Sequence, residues 1–154
     1  MFPENAEPDG TLETVVTREQ LKRERLRLTR IGSTRTQTGQ CAVEVELEWL
    51  GGVRVVGRAE GQASTAGDLR IAALAAVAAL EQFGAGALSF DLTGIKAIRA
   101  FDANIVIVSL TVKQDGTPQR LLGSYLAEED PVRSAVIAVL NATNRILGNY
   151  IATR

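Results

Sequence analysis

The chain holds no histidine and a single cysteine among its 154 residues, so the side chains that most often carry chemistry near neutral pH are almost absent. Cys41 opens the apolar run Cys41-Ala42-Val43 and reads as a buried, inert thiol rather than a nucleophile. One cysteine cannot close an internal disulfide, which points to a reducing compartment and a cytoplasmic location. No spacing matches a zinc site, a P-loop or a dinucleotide fingerprint. Glu44, Glu46 and Glu48 alternate with apolar residues and read as one solvated strand face. Glu128-Glu129-Asp130 stands just before Pro131, where the positive end of a helix dipole favours acids. Its alternative is a magnesium site, which would need converging oxygens. Arg70 and Arg133 recur at matching points of two helical segments. They either face water and nearby acids or clasp a carboxylate across a pseudo-twofold axis. Asn141 and Asn144 read as caps or solvent-facing groups, and Gly57 and Gly61 as close-approach or turn glycines. The expectation is a protein that is not an enzyme and needs no cofactor or metal.

These residues must be positioned by a pattern that occurs twice. Val43, Val45, Leu47 and Trp49 alternate with the acids, and Val106, Val108, Leu110 and Val112 alternate with Ile107, Ser109, Thr111 and Lys113. Each is a strand with one buried face. Gly51-Gly52 and Asp115-Gly116-Thr117-Pro118 supply hairpin turns, and the returning strands run to Gly57 and Gly123. Helices follow. Leu69-Arg70-Ile71-Ala72 falls on Val132-Arg133-Ser134-Ala135, and Ala75 on Ala138. Asp130-Pro131 starts the second helix, Gly67-Asp68 does the same job in the first, and Gly84 and Gly148 stop them. Ahead of each hairpin lies another strand: Arg25 to Ile31 in the first copy, and Leu88 to Leu92 with a break or bulge at Thr93-Gly94 in the second. The segments Gly32 to Gln40 and Ile95 to Phe101 connect these strands to the hairpins.

The fold expected is therefore α+β, two tandem βββα units with helices on one face of each sheet. The boundaries are a disordered acidic tail at 1–16, a short helix at 17–24, units at 25–84 and 85–150, and a tail at 151–154. Hydrophobic residues make up 45%, enough for a core, and the net charge of −1 favours no nucleic acid. The longest apolar run, Ile71 to Leu80, is shorter than the roughly 20 residues of a membrane span. Arg18 to Arg30 carries six cations against two acids, which reads as a solvated linker face, a patch for a small anionic partner or RNA, or a docking segment for a protein partner. No aromatic residue interleaves to stack on bases. A three-stranded sheet with one helix leaves a face or an edge uncovered, so a homodimer is expected.

The second unit resembles the C-terminal regulatory (leucine-binding, dimer) domain of the 2-isopropylmalate synthase and citramalate synthase family, which is also built from two βββα units. The matching features fall on Leu92, Asp102-Ala103, Gly123, Asp130, Ala138, Leu140 and Asn144-Arg145. The first unit departs from the family. The run Gly57 to Asp68 is longer than the family's Gly-x-Gly-Pro turn and has no proline. The catalytic barrel has no counterpart in these residues. The resemblance implies a regulatory module that senses a small metabolite, an amino acid or small carboxylate. The ligand would lie near Asp102-Ala103 and the glycine turns at Gly57 and Gly123; the matching places of Arg70 and Arg133 in the two helices make either a candidate anchor. The competing expectation is a structural or protein-interaction dimer with no small-molecule ligand.

Overall fold

A computed structural model describes residues 26–49, 52–114, 116–127 and 130–153. The acidic tail and the short helix expected at 17–24 lie outside the described residues, as does most of the basic segment. The fold is α+β and follows one plan twice: β1 (Arg27–Arg35), β2 (Gln40–Trp49), β3 (Val53–Gln62) and α1 (Thr65–Gly84), then β4 (Ser89–Ala100), β5 (Ala103–Gln114), β6 (Thr117–Leu126) and α2 (Pro131–Thr153). Each unit is an antiparallel three-stranded sheet with its middle strand in the middle of the chain order.

The repetition extends to details. Thr29 bulges out of β1 opposite Glu46–Leu47, and Thr93 bulges out of β4 opposite Ser109–Leu110. Each threonine hydroxyl donates to the facing backbone carbonyl, Thr29 to Glu46 at 3.1 Å and Thr93 to Ser109 at 2.9 Å. Val45 pairs with Gly57, and Val108 pairs with Gly123. The two glycines are not turns. They sit inside β3 and β6, and the helix of each unit lies directly on them. A Cβ on Gly57 would come 2.1 Å from the Ala75 carbonyl oxygen and 2.2 Å from the Ala79 nitrogen. On Gly123 it would come 2.2 Å from the Ala138 oxygen and 2.6 Å from the Ala142 nitrogen. Only a residue without a side chain lets the backbones approach this closely.

The inner faces of both sheets and the two helices form one continuous core. Val43, Val45 and Leu47 of β2 and Val106, Val108 and Leu110 of β5 are fully buried. Helix α1 packs on β2, β3, β4 and α2, while α2 packs on β5, β6 and α1. That central position explains its composition. A helix covered on most sides needs apolar residues all round, and small ones where several neighbours press on it. Ala72, Ala73, Ala75, Ala76 and Ala79 are all buried. At its end Phe83 meets Trp49 edge to face, with ring centroids 5.7 Å apart. Helix side chains also occupy strand groups that lie off the ladders. Gln82 Oε1 accepts from Val56 N–H at 2.8 Å, Glu81 Oε2 accepts from Phe90 N–H at 2.9 Å, and Asn141 Nδ2 donates to the Ser124 carbonyl at 3.0 Å.

Several expected boundaries are corrected. β1 continues through Arg35, and β4 is one strand with a bulge, because backbone pairing with β2 and β5 carries them past their polar residues. α1 starts at Thr65 rather than at Gly67-Asp68. Ser64 accepts the Gly67 N–H at 2.8 Å and Asp68 Oδ1 accepts the Ser64 N–H at 3.3 Å, a reciprocal cap. Its left-handed closing residue is Ala85, with φ 51°, one position beyond Gly84. α2 runs through Gly148 to Thr153, so no separate tail begins at 151. Glycine inside a helix costs only about 1 kcal/mol, too little to end one by itself.

The outer face of the first sheet is charged, as the alternating acids require; Glu44 and Glu48 pair with arginines, and Glu46 accepts from the Thr29 hydroxyl at 2.8 Å. Glu48 is 7% exposed and lies 2.8 Å from Arg27 and 3.4 Å from Arg54, while Glu44 lies 2.6 Å from Arg30. The hydrogen bond from Arg27, seconded by Arg54, holds the Glu48 carboxyl below the usual carboxylate range despite the opposing effect of desolvation.

Two outcomes follow from these contacts. Gly57→Ala and Gly123→Ala should each lower the unfolding free energy by at least ~2 kcal/mol in denaturant titration. Gly94→Ala, where a Cβ meets nothing within 4 Å, should change it by less than ~0.5 kcal/mol. A carboxylate with a depressed folded pKa stabilises above its unfolded value and loses that contribution as pH falls through the folded one. Glu48→Gln should therefore be less stable than the parent at pH about 7, and the difference in unfolding midpoint should begin to shrink only as pH falls below about 4, closing below the depressed folded value.

Candidate functional site

A cleft of about 450 Å³ is lined by Arg35, Ser64, Thr65, Asp68, Pro131 and Val132. It lies where the beginnings of α1 and α2 meet, so both units contribute to its wall. Its volume falls in the roughly 300–1,000 Å³ range of small-molecule sites.

Each wall has a local cause. Arg35 ends β1 and reaches Asp68 in the first turn of α1, forming an ion pair in which Asp68 is mostly covered and Arg35 is 60% exposed along its side chain. Asp68 also accepts the Ser64 N–H, so its carboxylate is fixed from two sides. Ser64 takes one of the orphan amides of α1; among the described residues, those of Thr65 and Ala66 are left without a protein acceptor. On the opposite wall Asp130 Oδ1 accepts from Val132 N–H at 3.1 Å and Arg133 N–H at 3.3 Å, which closes the start of α2. The cleft therefore presents a partly free guanidinium, a carboxylate, a hydroxyl and the positive ends of two helix dipoles. Such a set complements a small molecule bearing a carboxylate, and an amino acid in particular, since Asp68 offers an acceptor for an ammonium group.

Cys41 lies just beneath. It is 1% exposed, and burial first, then the neighbouring Asp68 carboxylate, push its thiol up from its ordinary pKa, against a smaller opposing effect of Arg35. The nucleophilic thiolate is thus disfavoured.

The residues singled out from the sequence are spread over the molecule. Arg70 lies in the second turn of α1 and Arg133 in the first turn of α2, both with exposed side chains, but neither lines the cleft. Asp102 and Ala103 form the β4–β5 hairpin. Phe101 and Asp102 both have positive φ, 53° and 60°, in a tight turn that usually selects Asn-Gly. That hairpin stands at the end of the second sheet from which α2 departs, outside the cleft lining. Gly57 and Gly123 are covered by the helices, so their role is to admit those helices rather than to offer backbone donors in a turn. Asn141 caps the edge of β6, and the side chain of Asn144 is half-buried. Sequence reading missed Arg35 and Ser64 and took Asp68 only as a helix start. The signal available was the Ser64-x-x-Gly67-Asp68 spacing of a cap. Among the described residues no group of three or more Cys, Asp or Glu side chains is gathered to hold a metal ion, and no helix is long and apolar enough to cross a membrane.

In comparisons with known proteins, the chain matches no family model and no curated protein.

The thiol provides a direct check of the packing beneath the cleft. Cys41 in the native protein should react with a disulfide reagent at pH about 8 at least ~10³-fold more slowly than in the unfolded chain. Its rate should track opening of the fold, as followed by denaturant dependence.

Proposed function

We propose that the chain is a non-catalytic regulatory module that senses a small carboxylate-bearing metabolite, an amino acid first among them, in the cleft between its two helix starts. The observation that carries this reading is the cleft wall itself: Arg35, Ser64, Thr65 and Asp68 come from one unit and Pro131 and Val132 from the other. A ligand there touches both units and is coupled to how they sit against each other, which is what a sensor needs. Arg35 is the anchor for the carboxylate, Thr65 and Ala66 offer amide donors, and Asp68 receives an ammonium. The resemblance of the second unit to the regulatory domain of the 2-isopropylmalate synthase and citramalate synthase family supports the same class of ligand. The site differs from the one the resemblance implies, lying at the helix starts rather than at Gly57 and Gly123. The reading includes a homodimer.

A structural dimer without a ligand is the second reading. It is favoured by the aliphatic row Ile98, Ile105, Ile107, Leu122 and Leu126 on the outer face of the second sheet, which needs no pocket to act.

Binding to the native state alone raises stability by about 2.7 kcal/mol at a hundredfold excess over Kd, which for a chain of this size is about 5–10 °C in Tm. A thermal-shift panel of the common amino acids and of 2-keto and 2-hydroxy acids at millimolar concentration should show such a rise for at least one compound. Arg35→Ala should abolish it while leaving the unliganded Tm within about 2 °C. No shift across the panel, or one that survives Arg35→Ala, contradicts the reading.

A further inference from the structure

We propose that the outer face of the second sheet is the surface on which a second copy of this chain docks, with the twofold axis running along β5. This rests on the homodimer reading and specifies its interface.

The two sheets share one plan, so their outer faces can be compared position by position. Pairing registers align Thr34 with Ile98, Ala42 with Ile105, Glu44 with Ile107, Val56 with Leu122, and Glu60 with Leu126. In the first sheet these positions hold a mixed, charged set amid the Arg27–Glu48–Arg54 and Arg30–Glu44 pairs. In the second sheet all are aliphatic. They point away from the core, because Val106, Val108 and Leu110 of the same strand point into it. Leu122 is 68% exposed and Leu126 46% exposed, and Phe101 at the tip of the β4–β5 hairpin is 98% exposed. The first sheet is built to stay wet; the second gathers an aliphatic row toward the β4–β5 hairpin end of its outer face, with Lys96, Asp91, Lys113 and Arg120 around it, and monomers seldom leave such a row in water.

Its extent suits a second copy. Three strands about 4.8 Å apart and some 3.3 Å per residue give a face about 14 Å wide and about 38 Å long. Two such faces remove about 1,100 Å² from water, above the roughly 1,000 Å² that a specific interface requires.

The axis follows from charge. Across the face at one level stand Asp91, Thr111 and Arg120, and at the other end Ile98, Ile105 and Leu126. Among the described residues Asp91 has no ion-pair partner. A rotation about β5 lays β4 of one copy over β6 of the other. It sets Asp91 against Arg120 of the second copy in both symmetry-related places, stacks the aliphatic row on itself, and leaves Lys113 over its own counterpart at the far end of the face, where water screens it. An axis across the strands would instead press that row onto Asp91 and Arg120, leaving the charges desolvated without partners. Sheets so stacked lie within about 30° of parallel.

Sedimentation equilibrium of the full chain at tens of micromolar tests this. The parent protein and Val56→Lys, altered at the equivalent place on the first sheet, should be dimers. Ile105→Lys should weaken the dimer at least about a hundredfold, since like charges then face each other across the axis. Leu122→Lys should weaken it as well, since its charge is then desolvated against Thr93 and Gly94 of the second copy without a partner. Leu122 is exposed enough that its replacement leaves the core untouched, and an unchanged circular dichroism spectrum verifies this. Asp91→Arg and Arg120→Asp should each weaken the dimer, and the two together should restore it. A dimer that ignores both lysine variants, or yields only to Val56→Lys, overturns the face; failure of the swap to restore overturns the axis. A parent that stays monomeric overturns the homodimer reading as well. None of these outcomes depends on ligand binding in the cleft.

Discussion

Everything in this structure depends on how closely each helix lies on its own sheet. Gly57 and Gly123 bring the backbones of β3 and β6 against those of α1 and α2, at Ala75 and Ala79 in one unit and Ala138 and Ala142 in the other. The close approach lets short alanine side chains fill the space between helix and sheet at the density of a protein interior. It also leaves α1 free to meet α2 and β4 on its remaining sides, so that two thin βββα layers share one core. Neither unit could bury its apolar sheet face with larger side chains in those places, because the helix would be lifted off the strands.

Joining two copies in this way has a geometric consequence. The helix starts come together, and the polar groups that any helix start must satisfy become the lining of a cleft. Ser64 and Asp68 serve first as a cap. The same Asp68 holds Arg35, and the pair gives the cleft both signs of charge. Symmetry is broken there, since the second unit has Pro131 where the first has Asp68. It is broken again on the outer faces, where one sheet pairs Glu44 and Glu48 with arginines and the other gathers an aliphatic row. A repeated scaffold has thus been given different surfaces, and the differences rather than the repeat carry the functional reading.

Much of the architecture was legible in the residues. The alternation through Val43, Val45 and Leu47 and again through Val106, Val108 and Leu110 sets the buried face of each middle strand, and the bulge at Thr93-Gly94 was visible as a break in apolar spacing. The βββα order followed from these signals. Local pattern failed where tertiary contact decides. A glycine after a run of valines reads equally as a turn or as a place where another backbone lies close, and only the helix above Gly57 distinguishes them. Gly67 in the first turn of α1 hid the earlier start at Thr65, because the stabilising cap outweighs one poor helix former. Arg35 lies among Ser33, Thr34 and Thr36 without apolar alternation, so it resembled a loop, yet backbone pairing with Cys41 makes it a strand end. Arg35 and Asp68 stand far apart in the chain. The cleft they line exists only once both units are packed, which is why spacing alone pointed to Arg70, Arg133 and the hairpin instead.

A single core shared by both units is the claim on which the cleft and the uncovered face both rest. Native-state hydrogen exchange at the middle strands tests it most directly, comparing the amides of Val45 in β2 with those of Val108 in β5. If the core is shared, both open only by global unfolding, with opening free energies equal within about 0.5 kcal/mol and the same denaturant dependence. A second strand set that opens several kcal/mol before the first, with a shallower denaturant slope, would show two independently closed halves and contradict the account.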